Sequence, residues 1–137
     1  MSQMGKGILF AGLILVILGG CRTAPIYNVN EASIPNAIGK ELPLEEVTKG
    51  IVAAGAKHGW AMNVEKPGKI VGTLGVRGHV AIVDIIYNTK SYSITYKDSN
   101  NLKYDKEDST IHSNYNAWIR NLHVSIQRNF GGSGQPN

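Results

Sequence analysis

The chain reads as an α+β protein. The expected architecture is a three-stranded antiparallel meander, with room for a short fourth edge strand at Ile26-Tyr27-Asn28-Val29, packed on one face by two helices in the order α-β-β-β-α. Apolar residues recur at helical spacing in two segments, 43–58 and 113–130. Between them, residues 69–97 alternate with period two and are interrupted by turn residues. A helix and a sheet that each carry one apolar face bury both by stacking into two layers.

The first helix is expected from Pro43 to about His58. Proline suits the first helical position, where no N–H donor is needed. Glu45 and Glu46 fall in the first turn, where the helix dipole favours acids. Leu44, Val47, Ile51, Ala54 and Gly55 form one apolar stripe, and Gly59 can take the left-handed stop. The meander has a readable register. With Arg77-Gly78 as a two-residue turn, Val76 faces His79, Leu74 faces Ala81, Gly72 faces Val83 and Ile70 faces Ile85. A second turn in Asn88–Ser91 sets Tyr87 opposite Tyr92, Ile85 opposite Ile94 and Val83 opposite Tyr96. Both hairpins put their apolar row on the same face, as a one-sided core requires. The last helix is expected from Ser113 or Asn114, either of which can cap it, to about Phe130. Tyr115, Trp118, Ile119, Leu122 and Ile126 make its core stripe. Its outward residues, among them Arg120 and Arg128, include no acid.

The other sheet face carries Val71, Val80, Ile82 and Ile86 beside Thr73, Asp84, Ser93, Thr95 and Lys97. Four aliphatics exceed what a solvent-facing sheet needs. Either residues 26–29 or the rest of the N-terminal stretch cover them, or they stay partly exposed as scattered surface aliphatics commonly do, or a partner covers them; the first two are the preferred readings.

The chain opens differently. Lys6 precedes an uncharged apolar run of eleven residues, Ile8–Leu18, which ends in Leu18-Gly19-Gly20-Cys21. A membrane-crossing helix needs roughly 20 apolar residues. A run of this length fits the apolar region of a signal peptide, about 7–15 residues. The segment resembles a bacterial lipoprotein signal peptide closed by a lipobox. That resemblance implies cleavage before Cys21, a diacylglycerol on its thiol and a third acyl chain on its new amino group. Two or more chains hold a protein stably on a membrane. Arg22 rather than aspartate after the cysteine implies, on the same resemblance, sorting to the outer membrane with the domain facing the periplasm. The expected organisation is a cleaved signal over 1–20, acylated Cys21 and a flexible tether over 21–40, one domain over 41–130, and a disordered Gly-rich tail over 131–137. A second resemblance lies downstream. Tyr92-Ser93-Ile94-Thr95-Tyr96-Lys97-Asp98-Ser99, then Asn101-Leu102, then Ile111-His112-Ser113-Asn114-Tyr115-Asn116-Ala117-Trp118-Ile119 resemble a group of small uncharacterised envelope lipoproteins. The similarity spans about residues 60–122 and implies no activity.

Composition limits the chemistry. Residues 21–137 suffice for one modest domain. The net charge of +4 drops by one with Lys6, too small and scattered an excess for nucleic acid binding. Cys21 is the single cysteine, so an acylated chain has no disulfide, cysteine nucleophile or thiolate metal site. His58, His79, His112 and His123 show no metal-ligand spacing. Gly72, Gly75 and Gly78 match no phosphate-loop pattern, and no serine stands in a nucleophile elbow. Asp84 and His79 fall on opposite sheet faces, which argues against a dyad. Asp105, Glu107 and Asp108 mix with Lys103 and Lys106 as a solvated turn.

The reading is therefore a non-enzymatic binding or assembly module of the envelope, with no cofactor or metal. Its membrane contact is acylated Cys21, and its partner an envelope protein or cell-wall polymer. The candidate binding residues are Arg77 and His79 at the hairpin tip and Val71, Val80, Ile82 and Ile86 on the outer face. A small-ligand or inhibitor protein using the aromatic layer is the alternative, and a cell-wall hydrolase a weaker one.

Overall fold

The computed structural model describes residues 22–35 and 39–131. The signal segment, Cys21 and the tail from Gly132 onward lie outside the described residues.

In chain order the elements are β1 (Thr23–Pro25), β2 (Val29–Ser33), α1 (Leu44–Ala56), β3 (Ala61–Lys66), β4 (Lys69–Val76), β5 (His79–Tyr87), β6 (Ser91–Asn100), β7 (Thr110–His112) and α2 (Ser113–Asn129). The β4–β5–β6 hairpins hold the register expected from the alternation: Leu74 opposite Ala81, Ile70 opposite Ile85, Tyr87 opposite Tyr92 and Val83 opposite Tyr96. A bulge between Ile82 and Val83 then admits Lys97 as an extra residue on β6.

The sheet is larger than a three-stranded meander. Five antiparallel strands run in the order β2-β6-β5-β4-β3, and β1 and β7 pair in a separate two-stranded ribbon. The chain order is thus β-β-α-β-β-β-β-β-α, not α-β-β-β-α. The physical reason is visible at the edges. β3 is an edge strand with five of its six residues exposed, so its sequence shows little apolar alternation. Its cue is the turn at Pro67-Gly68, where Gly68 has φ +86°. At the other edge, β2 pairs with β6 through Val29 opposite Ile94 and Ser33 opposite Ser91. β1 pairs with β7 through Thr23 opposite His112. The stretch 23–33, expected as tether, is therefore built into both sheets. The edge strand expected over residues 26–29 begins instead at Val29.

Both helices cover one face of the five-stranded sheet. Val47, Ile51 and Ala54 of α1 and Tyr115, Ile119, Leu122 and Ile126 of α2 meet Ile70, Leu74, Ala81, Val83, Ile85 and Ile94 in one core. Trp60, just before β3, is a large buried member of that core that the helical stripes do not announce. It lies over Gly72. A Cβ on that glycine would stand 3.3 Å from Trp60 Cε3 and 3.2 Å from Val83 Cγ2, so the missing side chain is what seats the indole. Trp118, expected in the core stripe, is only partly buried.

The cap of α2 also differs from expectation. His112 is the capping residue, and its Nδ1 accepts the Asn114 N–H at 3.1 Å; neither Ser113 nor Asn114 does this. An accepting Nδ1 carries no proton, so the ring proton sits on Nε2.

Candidate functional site

Antiparallel pairing places side chains of directly opposed residues on the same face. Val71 opposes Asp84, Thr73 opposes Ile82, Gly75 opposes Val80 and Lys69 opposes Ile86. The outer-face aliphatics expected from the sequence therefore lie on one surface across two neighbouring strands. β6 continues it with Ser93 opposite Ile86 and Thr95 opposite Asp84. Val71, Val80 and Ile82 are partly exposed, and Ile86 is 50% exposed. Among the described residues no helix lies over this face. The described N-terminal residues 22–35 do not cover it either, because β2 extends the sheet sideways and turns its buried Val29 to the helix side.

Charges mark the middle and one side of this surface. Asp84 Oδ1 lies 3.3 Å from Lys97 Nζ and 3.9 Å from Lys69 Nζ, and Lys69 reaches Glu65 at 2.9 Å. The Lys69 ammonium beside Glu65 holds that carboxyl below its ordinary value, and the carboxylate in turn raises Lys69. Solvent screens exposed pairs of this kind, so they add little to stability. They chiefly orient the lysines and keep Asp84 from standing alone among aliphatics.

The hairpin tip is built differently from a free recognition loop. Arg77 and Gly78 have φ of +50° and +79°, the double left-handed geometry of a type I′ turn. His79 follows, and its Nδ1 lies 2.6 Å from the Asn101 carbonyl oxygen, to which it donates. Asn101 Nδ2 reaches back to the Gly78 carbonyl at 3.5 Å. The His79 ring stands 6.3 Å from that of His112. His79 is thus a fastening that joins the tip to the segment after β6 and to the start of α2. Arg77 alone of the two points freely outward. The tip residues sit at a strand end and the aliphatics on the sheet face, so the six candidates form two surfaces.

Polar side chains of α2 form two hydrogen-bond networks. Gln127 Nε2 donates to Tyr92 Oη at 2.9 Å and to the Ser33 carbonyl at 3.0 Å. Tyr92 Oη is 2.8 Å from His123 Nδ1. With Gln127 donating to Tyr92, the phenol proton goes to His123, which is then a neutral ring. Burial agrees with that assignment: it lowers the His123 pKa and pushes the Tyr92 phenol up to about 12. Asn116 does a parallel task. It accepts the Tyr27 N–H at 2.8 Å and donates to the Pro25 carbonyl at 2.8 Å. Both networks tie the N-terminal strands to α2. A signal for them was present in the sequence: Asn116 and His123 stand directly beside the core-stripe positions Tyr115 and Leu122, both fully buried.

The aromatic layer is packed rather than hollow. Tyr92 and Tyr115 are 1% and 0% exposed, and Tyr96 stacks on Tyr104 at 4.2 Å. Surface depressions occur elsewhere. One of about 410 Å³ lies beside Lys57, His58 and Arg128, and one of about 390 Å³ beside Leu44, Val64 and Pro67. Among the described residues no three His, Cys, Asp or Glu side chains gather as a metal site. The outer sheet face thus sets four aliphatics, of which Ile86 is the most exposed, around the charged centre of Asp84, Lys69 and Lys97. Set beside known proteins, the chain matches no protein-family model, no curated protein and no solved structure.

Proposed function

We propose that the protein is a lipid-anchored envelope lipoprotein that works as a non-enzymatic binding or assembly module. Acylated Cys21 holds it on the outer membrane, facing the periplasm, and the outer sheet face of Val71, Val80, Ile82 and Ile86 contacts an envelope protein or cell-wall polymer. The uncovered aliphatic face carries the binding part of this reading. Large contiguous apolar patches on a surface mark interaction sites, and aliphatics gathered on two neighbouring strands support such a patch here. The sequence Leu18-Gly19-Gly20-Cys21 supports the anchoring part.

The test has two halves. Cys21→Ser is expected to leave an unprocessed precursor that takes up no labelled palmitate and is lost from membranes. Normal processing and membrane retention in that variant would overturn the anchor. For the binding half, a photo-crosslinking residue is placed at Ile86 and, as a control, at Glu46 on the helix side. Irradiation of intact cells is expected to give a discrete adduct from position 86 that Ile82→Glu abolishes while the melting temperature stays within a few degrees. Equal labelling from both positions removes the sheet face as the contact surface.

A further inference from the structure

The point where the chain enters the fold bears on how an anchored domain sits. The Arg22 carbonyl accepts the Ser113 N–H at 2.8 Å, and Thr23 pairs with His112. Arg22 is thus already bound to the first turn of α2. Cys21 is its covalent neighbour, about 3.8 Å away from Cα to Cα. A flexible tether of a dozen Gly/Ser residues reaches about 20 Å, and no such slack separates Arg22 from Cys21.

Resting on the lipid anchor proposed above, we infer that the domain is held directly against the lipid surface in one orientation. The β1–β7 ribbon, the N-terminus of α2 and the Arg77-Gly78 tip face the bilayer. The turns at Pro67-Gly68 and Asn88–Lys90 point away from it. Contacts already described place these parts together. His112 opposes Thr23, its backbone N–H bonds the Leu102 carbonyl at 2.8 Å, and its ring neighbours His79 at the tip. Strands β4 and β5 run from that tip to the distant turns. At about 3.3 Å per residue the far ends stand roughly 25 Å from it. Helix α2 runs a similar length away from Ser113, at 1.5 Å per residue.

Charge is not what selects this end. Arg22, Arg77 and Lys103 are exposed there and form no ion pair among the described residues. Asp105, Glu107 and Asp108, with Lys106, lie close by on the same loop. The covalent attachment sets the orientation, and the cations sit at headgroup level where an anionic lipid can pair with them. The outer sheet face, which runs along the strands, then stands at the side of the anchored domain and remains open to a partner.

The full-length acylated protein is reconstituted in vesicles of phosphatidylethanolamine and phosphatidylglycerol that contain a lipid bearing a headgroup quencher. Acylation is verified on the same sample by palmitate incorporation. A fluorophore is attached through one introduced thiol: Arg77→Cys or Lys103→Cys at the near end, Lys66→Cys or Lys90→Cys at the far end. Quenching is expected to be several-fold stronger at the near positions. Insertion of twelve Gly/Ser residues between Cys21 and Arg22 is expected to erase that contrast with acylation intact. Equal quenching at both ends, stronger quenching at the far end, or a contrast that survives the insertion overturns the orientation while leaving the anchor standing. A sample that takes up no palmitate overturns the anchor, and the orientation falls with it.

Discussion

His123 shows how a single buried side chain makes folding depend on pH. Its ordinary value is 6.5, and burial lowers it in the folded chain. The unfolded chain therefore binds the proton more readily. The stability contributed by the neutral ring is complete above pH 6.5 and declines as the pH falls below it toward the folded value. Melting temperature is expected to fall as the pH drops through and below 6.5. His123→Gln is expected to flatten that part of the profile, as read by circular dichroism. Asn116 makes a second case. Asn116→Ala leaves the Tyr27 N–H and the Pro25 carbonyl without their partner, which is expected to cost about 1–3 kcal/mol. Denaturant unfolding measures it, and a loss under about 0.5 kcal/mol, the range of ordinary surface changes, would show that water replaces the amide. Their place beside the core stripe was legible in the sequence but their partners were not, because one such as Pro25 lies 91 positions away.

At the scale of elements, the two tryptophans separate what periodicity can and cannot give. Trp118 falls on the α2 stripe and reads as core, yet it is only partly buried, whereas Trp60 precedes an edge strand and is 4% exposed. Trp60→Ala is expected to cost about 3–5 kcal/mol, and Trp118→Ala clearly less. The reverse order in thermal melts would relocate the core. Gly72→Val is expected to destabilise by about 1–3 kcal/mol through overpacking against Trp60, and Gly75→Val, with open space at that glycine, is expected to cost less. The β4–β5–β6 register was legible because Arg77-Gly78 and Asn88–Ser91 set local turns and every second residue is apolar. Helices α1 and α2 were legible for the corresponding reason at period 3.6. β3 was not, since a strand exposed on most positions has little reason to alternate. Of the candidate surface, the aliphatic row was legible from strand parity alone. The tie of His79 to Asn101 was not, because it joins two loops.

On the scale of the whole molecule, the N-terminal stretch is structural. Residues 23–33 cap one sheet edge, pair with β7 and are tied down by Asn116 and Gln127 on α2; Arg120 also lies 4.7 Å over the Tyr27 ring. Beyond room for a short edge strand, the sequence pattern does not show this, because Pro25, Asn28 and Asn30 break every period and the pairing partners lie far along the chain. A fragment of residues 41–131 is therefore expected to melt well below one of residues 22–131, with at least part of the loss appearing as aggregation from the bared β6 edge. Equal melting temperatures for the two fragments would return residues 22–40 to the role of a linker.

The rims of the five-stranded sheet carry a further consequence. An unbroken edge strand offers its free N–H and C=O groups to any neighbouring chain. Here both rims are interrupted. In β2 the register shifts between Val29 and Ala32, Glu31 takes φ +47°, and its N–H is turned inward to Ser93 Oγ at 2.9 Å. In β3 the register shifts between Val64 and Lys66, at the charged pair Glu65-Lys66. Copies at high local concentration meet often, and an intact rim would let them zip strand to strand into polymers. These two kinks deny a neighbouring copy a template, so the sheet can keep one face open to solvent without becoming a seedbed for fibres.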